Sequence, residues 1–392
     1  MDVTIHRGTR QIGGCVTEIA TQKTRLMIDF GAELPNGGET PRVIEVEGVN
    51  SAGRVCDAVL FTHYHGDHIG MLDQIHPDVP TYMSEVSKQI MRTVLRRTKA
   101  AHLSCLEKVD TFIPLRPFVI GDIKITPIPA DHSAYDACMF LLEADGKKVL
   151  HTGDFRLHGF RSKGTKKIFK KYVGAVDMLI TEGTTLSRED VFVQKEIALQ
   201  KDIRKVVSEY KYVFVLCAST NIDRLALLHN VTPVGRYFVC DGYQKEIMSI
   251  VAEETKSNSY LFKKALIYGE NLALKERGFV MPVRQGSFFK SIMGRYVDDE
   301  KTILIYSMWD GYLEDKEDSS MRDFVQLYHD AGKMKIMHTS GHATPEAIRS
   351  ICELTSAKYV LPIHTEMPEN IQTLCPDAEV VLPEDGVRFK IT

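Results

Sequence analysis

The sequence predicts an α/β protein in which a strand-rich αββα sandwich is interrupted by a second, parallel α/β unit. Three observations carry this expectation. Short apolar runs at 24–31, 57–61, 123–128 and 148–150 read as strands, and each gives way to a histidine- or aspartate-bearing loop. From Ser187 the pattern changes to a helical stretch, the strand 212–216, a helix after Asn221, the strand 236–240 and a helix from Gly242, an alternation that suits a doubly wound sheet. A chain of 392 residues with 44% hydrophobic content can build two cores.

The run Asp57-Ala58-Val59-Leu60-Phe61 leads into Thr62-His63-Tyr64-His65-Gly66-Asp67-His68. Side chains alternate along a strand, so His63 and His65 leave its end on one side, and Gly66 lets the chain turn to bring in Asp67 and His68. Four imidazole or carboxylate groups in six positions exceed the needs of one closed tetrahedral site, and neutral imidazoles with carboxylates suit zinc. Asp29 ends the strand before it, His132 follows 123–128, and Asp154 follows Lys148-Val149-Leu150. All lie at carboxyl ends of strands, where loops can converge.

The spacing His-x-His-x-Asp-His, with these later residues, resembles the metallo-β-lactamase superfamily. Three further segments, Ile180-Thr181-Glu182, Ser340-Gly341-His342 and Pro362-Ile363-His364, are similar to motifs A, B and C of its β-CASP nucleases, the group that includes ribonuclease J. The resemblance implies a metallo-β-lactamase αββα sandwich (residues 1–186 and 327–392) with an inserted β-CASP α/β domain (187–326). It implies two Zn2+ ions, with Mn2+ as a substitute: His63, His65 and His132 on the first, Asp67, His68 and His364 on the second, Asp154 bridging. Asp67, His342 and Glu182 are the catalytic candidates, His342 toward the scissile phosphate and Glu182 orienting a ligand histidine. Ala218-Ser219-Thr220-Asn221 is similar to the phosphate-holding segment of ribonuclease J relatives, so Ser219, Asn221 and Ser340 are expected to bind substrate.

Against the resemblance, Ser307-Met308-Trp309-Asp310-Gly311 stands where ribonuclease J has Gly-Ser-Gln-Gly-Glu, and Asp223 replaces a usual histidine. Little chain follows motif C, so the family's C-terminal domain is expected to be missing. The oligomeric state stays open, a homodimer included.

A net charge of −3 argues against a uniformly basic nucleic-acid surface, so phosphate contacts must be local. Arg156, Arg161, Lys163, Lys166, Lys167, Lys170 and Lys171 form a run without an acidic residue, with Lys166 and Lys167 at its centre. It reads equally as an RNA-tracking surface or a solvated helix face. A weaker cluster at Arg92, Arg96, Arg97 and Lys99 reads as a solvated helix face, and Trp309 and Tyr312, which could stack on bases, read rather as core or interface packing residues. Thr344-Pro345-Glu346 carries the signature of a helix start. No run approaches the roughly 18 apolar residues of a membrane span, and the first residues lack a signal peptide's basic and apolar regions. The eight cysteines include no Cys-x-x-Cys pair and read as buried thiols of a cytoplasmic protein.

The expected activity is zinc-dependent hydrolysis of single-stranded RNA. The alternative is hydrolysis of a small thioester, lactone or phosphoester on the same fold. A non-enzymatic RNA-binding relative is disfavoured, since the chain keeps all seven ligand types.

Overall fold

The computed structural model describes residues 1–34, 42–98, 102–188, 193–269, 273–315 and 318–392. They divide into two compact units: Met1–Leu157, Arg161–Phe192 and Gly341–Thr392 form one, His158–Phe160 and Val193–Ser340 the other. The expected join after 326 falls inside a helix, Ser320–Asp330, that belongs to the second unit together with the strand that follows it.

In the first unit the strands are β1 (Asp2–Arg7), β2 (Val16–Ala20), β3 (Arg25–Ile28), β4 (Ala58–Leu60), β5 (Thr81–Ser84), β6 (Asp110–Phe112), β7 (Phe118–Ile120), β8 (Ile123–Pro129), β9 (Cys138–Ala144), β10 (Lys147–His151) and β11 (Met178–Glu182). The second unit adds β12 (Tyr212–Leu216), β13 (Tyr237–Cys240), β14 (Ala265–Ile267), β15 (Phe279–Val283), β16 (Thr302–Tyr306) and β17 (Met334–Ile336). The chain then returns with β18 (Tyr359–Ile363), β19 (Glu379–Val380) and β20 (Arg388–Lys390).

Two seven-stranded sheets make the first unit, in the orders β20-β1-β2-β3-β4-β5-β6 and β19-β18-β11-β10-β9-β8-β7. Alternation along the strands builds the layer between them: Val3, Ile5, Ile19, Leu26 and Ile28 from one sheet meet Ile123, Ile125, Phe140, Leu142, Val149 and Ile180 from the other. Met139 and Leu141 point the opposite way and are buried as well, so this strand reads as a continuous apolar run. Phe140→Ala would remove a fully buried ring at a cost of roughly 3–5 kcal/mol. The helix Pro345–Thr355 starts as its sequence indicates, with Thr344 Oγ1 accepting from Ala347 N at 3.2 Å, and stops at Ser356, whose φ of 42° leaves the helical region.

The second unit holds one all-parallel sheet, β14-β13-β15-β12-β16-β17. The helical stretch expected from Ser187 is the helix Glu196–Glu209. Its Glu196 forms a buried ion pair with Arg224 (3.2 Å), which also donates to Ser307 Oγ.

Two expectations need correction. Cys352 and Cys375 form a disulfide, because the helix Pro345–Thr355 packs close to the turn after Pro368–Thr373; nothing in a 22-residue spacer without further cysteines signals such a pair. Of the core or interface packing expected for Trp309 and Tyr312, the core half is corrected: they are 46% and 45% exposed and pack edge-to-face on each other. Arg92 is paired with Glu107 through two contacts of 2.7 Å, and Lys99 lies outside the described residues. No helix among the described residues is long and apolar enough to cross a membrane.

Candidate metal centre

Every residue of the centre belongs to the first unit. Strand β4 ends at Leu60, and Asp29, just past β3, receives the loop that follows: its Oδ1 accepts from Thr62 N at 2.7 Å. Backbone bonds fasten the loop to the neighbouring strand ends, Phe30 N to His68 O at 2.8 Å and Ala32 N to Gly66 O at 2.9 Å. Gly31 makes this approach possible, since a Cβ there would lie 1.7 Å from Asp67 O.

The candidate ligands gather in two groups with Asp154 beside both. Ligand atoms of His63, His65 and His132 lie within 4.8 Å of one another, as do those of Asp67, His68, Asp154 and His364. Asp154 Oδ2 is 3.9 Å from Nε2 of His63 and of His132, and 3.3 Å from His68 Nε2, while Oδ1 is 4.0 Å from His364 Nε2. A third group joins Asp154, Glu182, His342 and His364.

Second partners sort the imidazole tautomers. His68 Nδ1 donates to Asp29 Oδ2 at 2.7 Å and His132 Nδ1 to Gly341 O at 2.7 Å. His63 Nδ1 donates at 3.0 Å to Thr62 Oγ1, which passes its own proton to Asp29 Oδ2 at 2.8 Å. The same device repeats across the site: His364 Nδ1 donates to Thr184 Oγ1 at 2.8 Å, and Thr184 to Glu182 Oε2 at 2.6 Å. In His63 and His132 the Nε2 lone pair is left toward the centre, while Nε2 of His68 and of His364 faces Asp154 and Asp67 and would be freed for an ion.

This donor set fits metal ions. His63 Nε2, His68 Nε2 and Asp154 Oδ1 are buried without a hydrogen-bond partner among the described residues. His65 Nδ1 and His132 Nε2 are 3.2 Å apart, close to the edge of a tetrahedron with metal–nitrogen bonds of about 2.0–2.1 Å. Burial, helped by neighbouring imidazoles, pushes His63 and His132 well below the usual histidine range, and burial outweighs Asp67 and Asp154 to hold His65 at about 4, so all three rings are neutral at pH 7. His68 differs: burial opposes its charge, but Asp154, Asp29 and Asp67 together raise it well above the ordinary value. Burial also resists ionisation of Asp67 and Asp154, yet the surrounding histidines keep both below the usual carboxyl range.

His342 is 26% exposed, whereas His63, His68, His132 and His364 are at most 1% exposed at the side chain. Its Nδ1 lies 3.1 Å from Glu182 Oε2 and 3.6 Å from Asp154 Oδ2. Burial lowers its basicity, but Glu182 and Asp154 prevail and raise it to about 9. Glu182 also accepts from Phe155 N at 2.7 Å, which ties the Asp154 loop to motif A.

The basic run divides. Arg156 is buried against Asp131 at 3.4 Å, and Arg161 donates to His132 O and stacks over Tyr135, so both hold the loop that carries His132. Lys163, Lys166, Lys167, Lys170 and Lys171 are exposed. In the second unit Ser219 is buried, with its hydroxyl 3.3 Å from Gln244 Nε2 and 3.5 Å from Arg284 Nη1. Asn221 Oδ1 is engaged as the cap of the helix Ile222–Val231, and Asp223 accepts from Tyr260 at 2.7 Å. The backbone oxygen of Ser340 accepts from His158 at 2.8 Å. The threonine relays and Arg161 escape a sequence reading because Thr62 and Thr184 look like ordinary strand-end residues and Arg161 sits in a charge run.

A model described as a β-lactamase superfamily domain matches residues 24–212. The chain carries a β-lactamase superfamily domain and is similar to ribonuclease J and its relatives. It is 22% identical to Ribonuclease J of Thermus thermophilus over 98% of this chain and 73% of that one. An RNase J-like protein of Methanocaldococcus jannaschii is 27% identical over 52% of this chain and 47% of its own, so there the match spans about half the relative's length. The Aspergillus fumigatus endoribonuclease ysh1 is 26% identical over 39% of this chain. A crystal structure of a protein of unknown function from Enterococcus faecalis V583 has the same fold, with a TM-score of 0.81, 21% identity and 99% coverage of both chains.

Proposed function

We propose that this superfamily member is a zinc-dependent ribonuclease that hydrolyses phosphodiester bonds of single-stranded RNA with a water activated by two metal ions. The observation that carries the reading is Asp154, whose two oxygens lie between two groups of nitrogen and oxygen ligands. Bound there, two zinc ions, or manganese in their place, would acidify a shared water and draw charge from the phosphodiester oxygens. The names of the ribonuclease J and ysh1 relatives support RNA as the substrate.

The chain's own groups take the remaining tasks. His342 carries a proton at neutral pH, with Nδ1–H toward Glu182 and Nε2–H for an oxygen of the scissile phosphate. Glu182, fully buried, anchors His342 directly and His364 through Thr184. Asp67 accepts from His364 Nε2 at 3.1 Å and would turn to the second ion when one is bound. Lys166 and Lys167 would track the RNA backbone, and Ser219, Asn221 and Ser340 stay proposed phosphate contacts through their hydroxyls or neighbouring amides. RNA as substrate goes with a cytoplasmic setting, and a homodimer is compatible with this function.

The test is cleavage of end-labelled single-stranded RNA, bearing a 5′-monophosphate or triphosphate, by the zinc-loaded protein. DNA of the same sequence and duplex RNA should be cut much more slowly, and Lys166→Ala with Lys167→Ala should weaken RNA binding and flatten its decline with salt. Turnover of small thioesters or lactones with RNA left intact would move the assignment to the alternative hydrolase.

A further inference from the structure

Cys15 lies in the turn between β1 and β2, 1% exposed, and its backbone is bolted to the metal loop: Cys15 N donates to Asp67 O at 3.1 Å, and Gly31 N to Cys15 O at 3.1 Å. Its Sγ is within 4.8 Å of a ring nitrogen of His68 and one of His364. Cys56, Cys138 and Cys240 give their thiols to backbone carbonyls, whereas the thiol of Cys15 makes no hydrogen bond among the described residues. A second observation points into the same space. His68 Nε2 is buried without a hydrogen-bond partner among the described residues, and the Nδ1 edges of His68 and His364 are taken by Asp29 and Thr184, so Nε2 is the atom left for an ion in each ring, in His364 once Asp67 turns from it.

We propose that Cys15 supplies a sulfur ligand to the second metal ion, alongside His68, His364 and the carboxylates. Coordination is balanced by loss of the thiol proton to solvent: the S–H bond breaks heterolytically, the sulfur–metal bond forms, and no electron is transferred. A thiolate makes this site prefer zinc or cobalt over manganese or magnesium, which favour oxygen shells. The two sites therefore differ in kind, a three-histidine site and a mixed sulfur, nitrogen and oxygen site. The inference rests on the metal-centre half of the proposed function and is independent of what the substrate is.

X-ray absorption at the zinc edge of the zinc-loaded protein decides it. A sulfur shell at about 2.3 Å, amounting to roughly one sulfur per two zinc ions, is expected. Cobalt-loaded protein should show a near-ultraviolet sulfur-to-cobalt charge-transfer band that Cys15→Ser abolishes and Cys217→Ser leaves in place. In Cys15→Ser the second ion should be lost to a chelator at about 10–100-fold lower competitor concentration. An all-nitrogen-and-oxygen shell in the unaltered protein overturns the proposal even if Cys15→Ser fails to fold. RNA cleavage by a protein with such a shell would sink this inference and leave the ribonuclease reading standing, whereas sulfur coordination without RNA cleavage would do the reverse.

Discussion

Asp29 Oδ2 accepts the Nδ1 proton of His68 at 2.7 Å, and neither side chain is more than 1% exposed. The aspartate reaches this position from a left-handed backbone, φ 61°, which also turns its Oδ1 to Thr62 N. Both oxygens are thus engaged by donors. An asparagine in its place, having one acceptor oxygen, would leave either Thr62 N or His68 Nδ1 without a partner. Asp29→Asn is expected to lower affinity for the second ion roughly 10–100-fold with the overall fold retained. Chelator competition followed by elemental analysis measures this, and unchanged affinity would show that the brace does not orient His68.

His342 and His364 stack with centroids 5.5 Å apart yet should respond differently to loss. His342→Ala is expected to keep both ions while cleavage slows by roughly 10²–10⁴-fold, the range of a lost general acid. His364→Ala should lose the second ion, and Thr184→Val, which removes the acceptor of His364 Nδ1, should weaken it by about tenfold. Metal content and single-turnover rates measured together separate the cases. Equal metal loss in the two alanine variants would erase the distinction.

Far from the ligands, Glu18 is held by His6 at 3.0 Å and Arg25 at 2.8 Å. Burial favours the neutral acid, but those two hydrogen bonds win and lower its pKa from 4.5 to about 2. A depressed carboxyl stabilises the folded state above its unfolded value, and the benefit fades as pH falls from 4.5 toward 2. Glu18→Gln should therefore cost on the order of 1–2 kcal/mol at pH 7, allowing for solvent screening, and the gap from the unaltered protein should close across that acid window. Urea titrations at several pH values report it, with a pH-independent gap as the contrary result.

The Cys352–Cys375 disulfide closes a segment of sequence separation 23 between the motif B helix and the chain beyond motif C. For such a loop its removal should cost about 3 kcal/mol. Thermal unfolding of the unaltered protein in reductant should fall to the level of Cys352→Ser, which reductant should not shift further. A melting temperature indifferent to reductant, together with thiol titration showing all eight cysteines free, would exclude the bond.

Much of this was legible in the chain because strands and ligands share one grammar. An apolar run ending in His or Asp marks both a buried strand and the loop at its mouth, and β8, β10, β12 and β13 stand near where the apolar runs put them. What escaped depends on partners distant in sequence. Thr184 gains its meaning from His364, Cys15 from Asp67 and His68, and Cys352 from Cys375, none of which a local window can see. Asn221 has two readings for a related reason, because the same amide chemistry that could meet a phosphate also caps a helix. Arg156 reads as one cation in a solvated run until Asp131, on the preceding loop, encloses it.

The residues of the centre are divided by the inserted unit: His63, His65, Asp67, His68, His132 and Asp154 precede it, while the ligand His364 and the catalytic candidate His342 follow it. The order of synthesis therefore withholds His364 from the second group until the inserted unit has been made. A growing chain can assemble the three-histidine group early, but it must complete the entire second unit before motif C emerges. Until then Asp67 and Asp154 lack His364 beside them, and the second group is completed only after the inserted unit has been made.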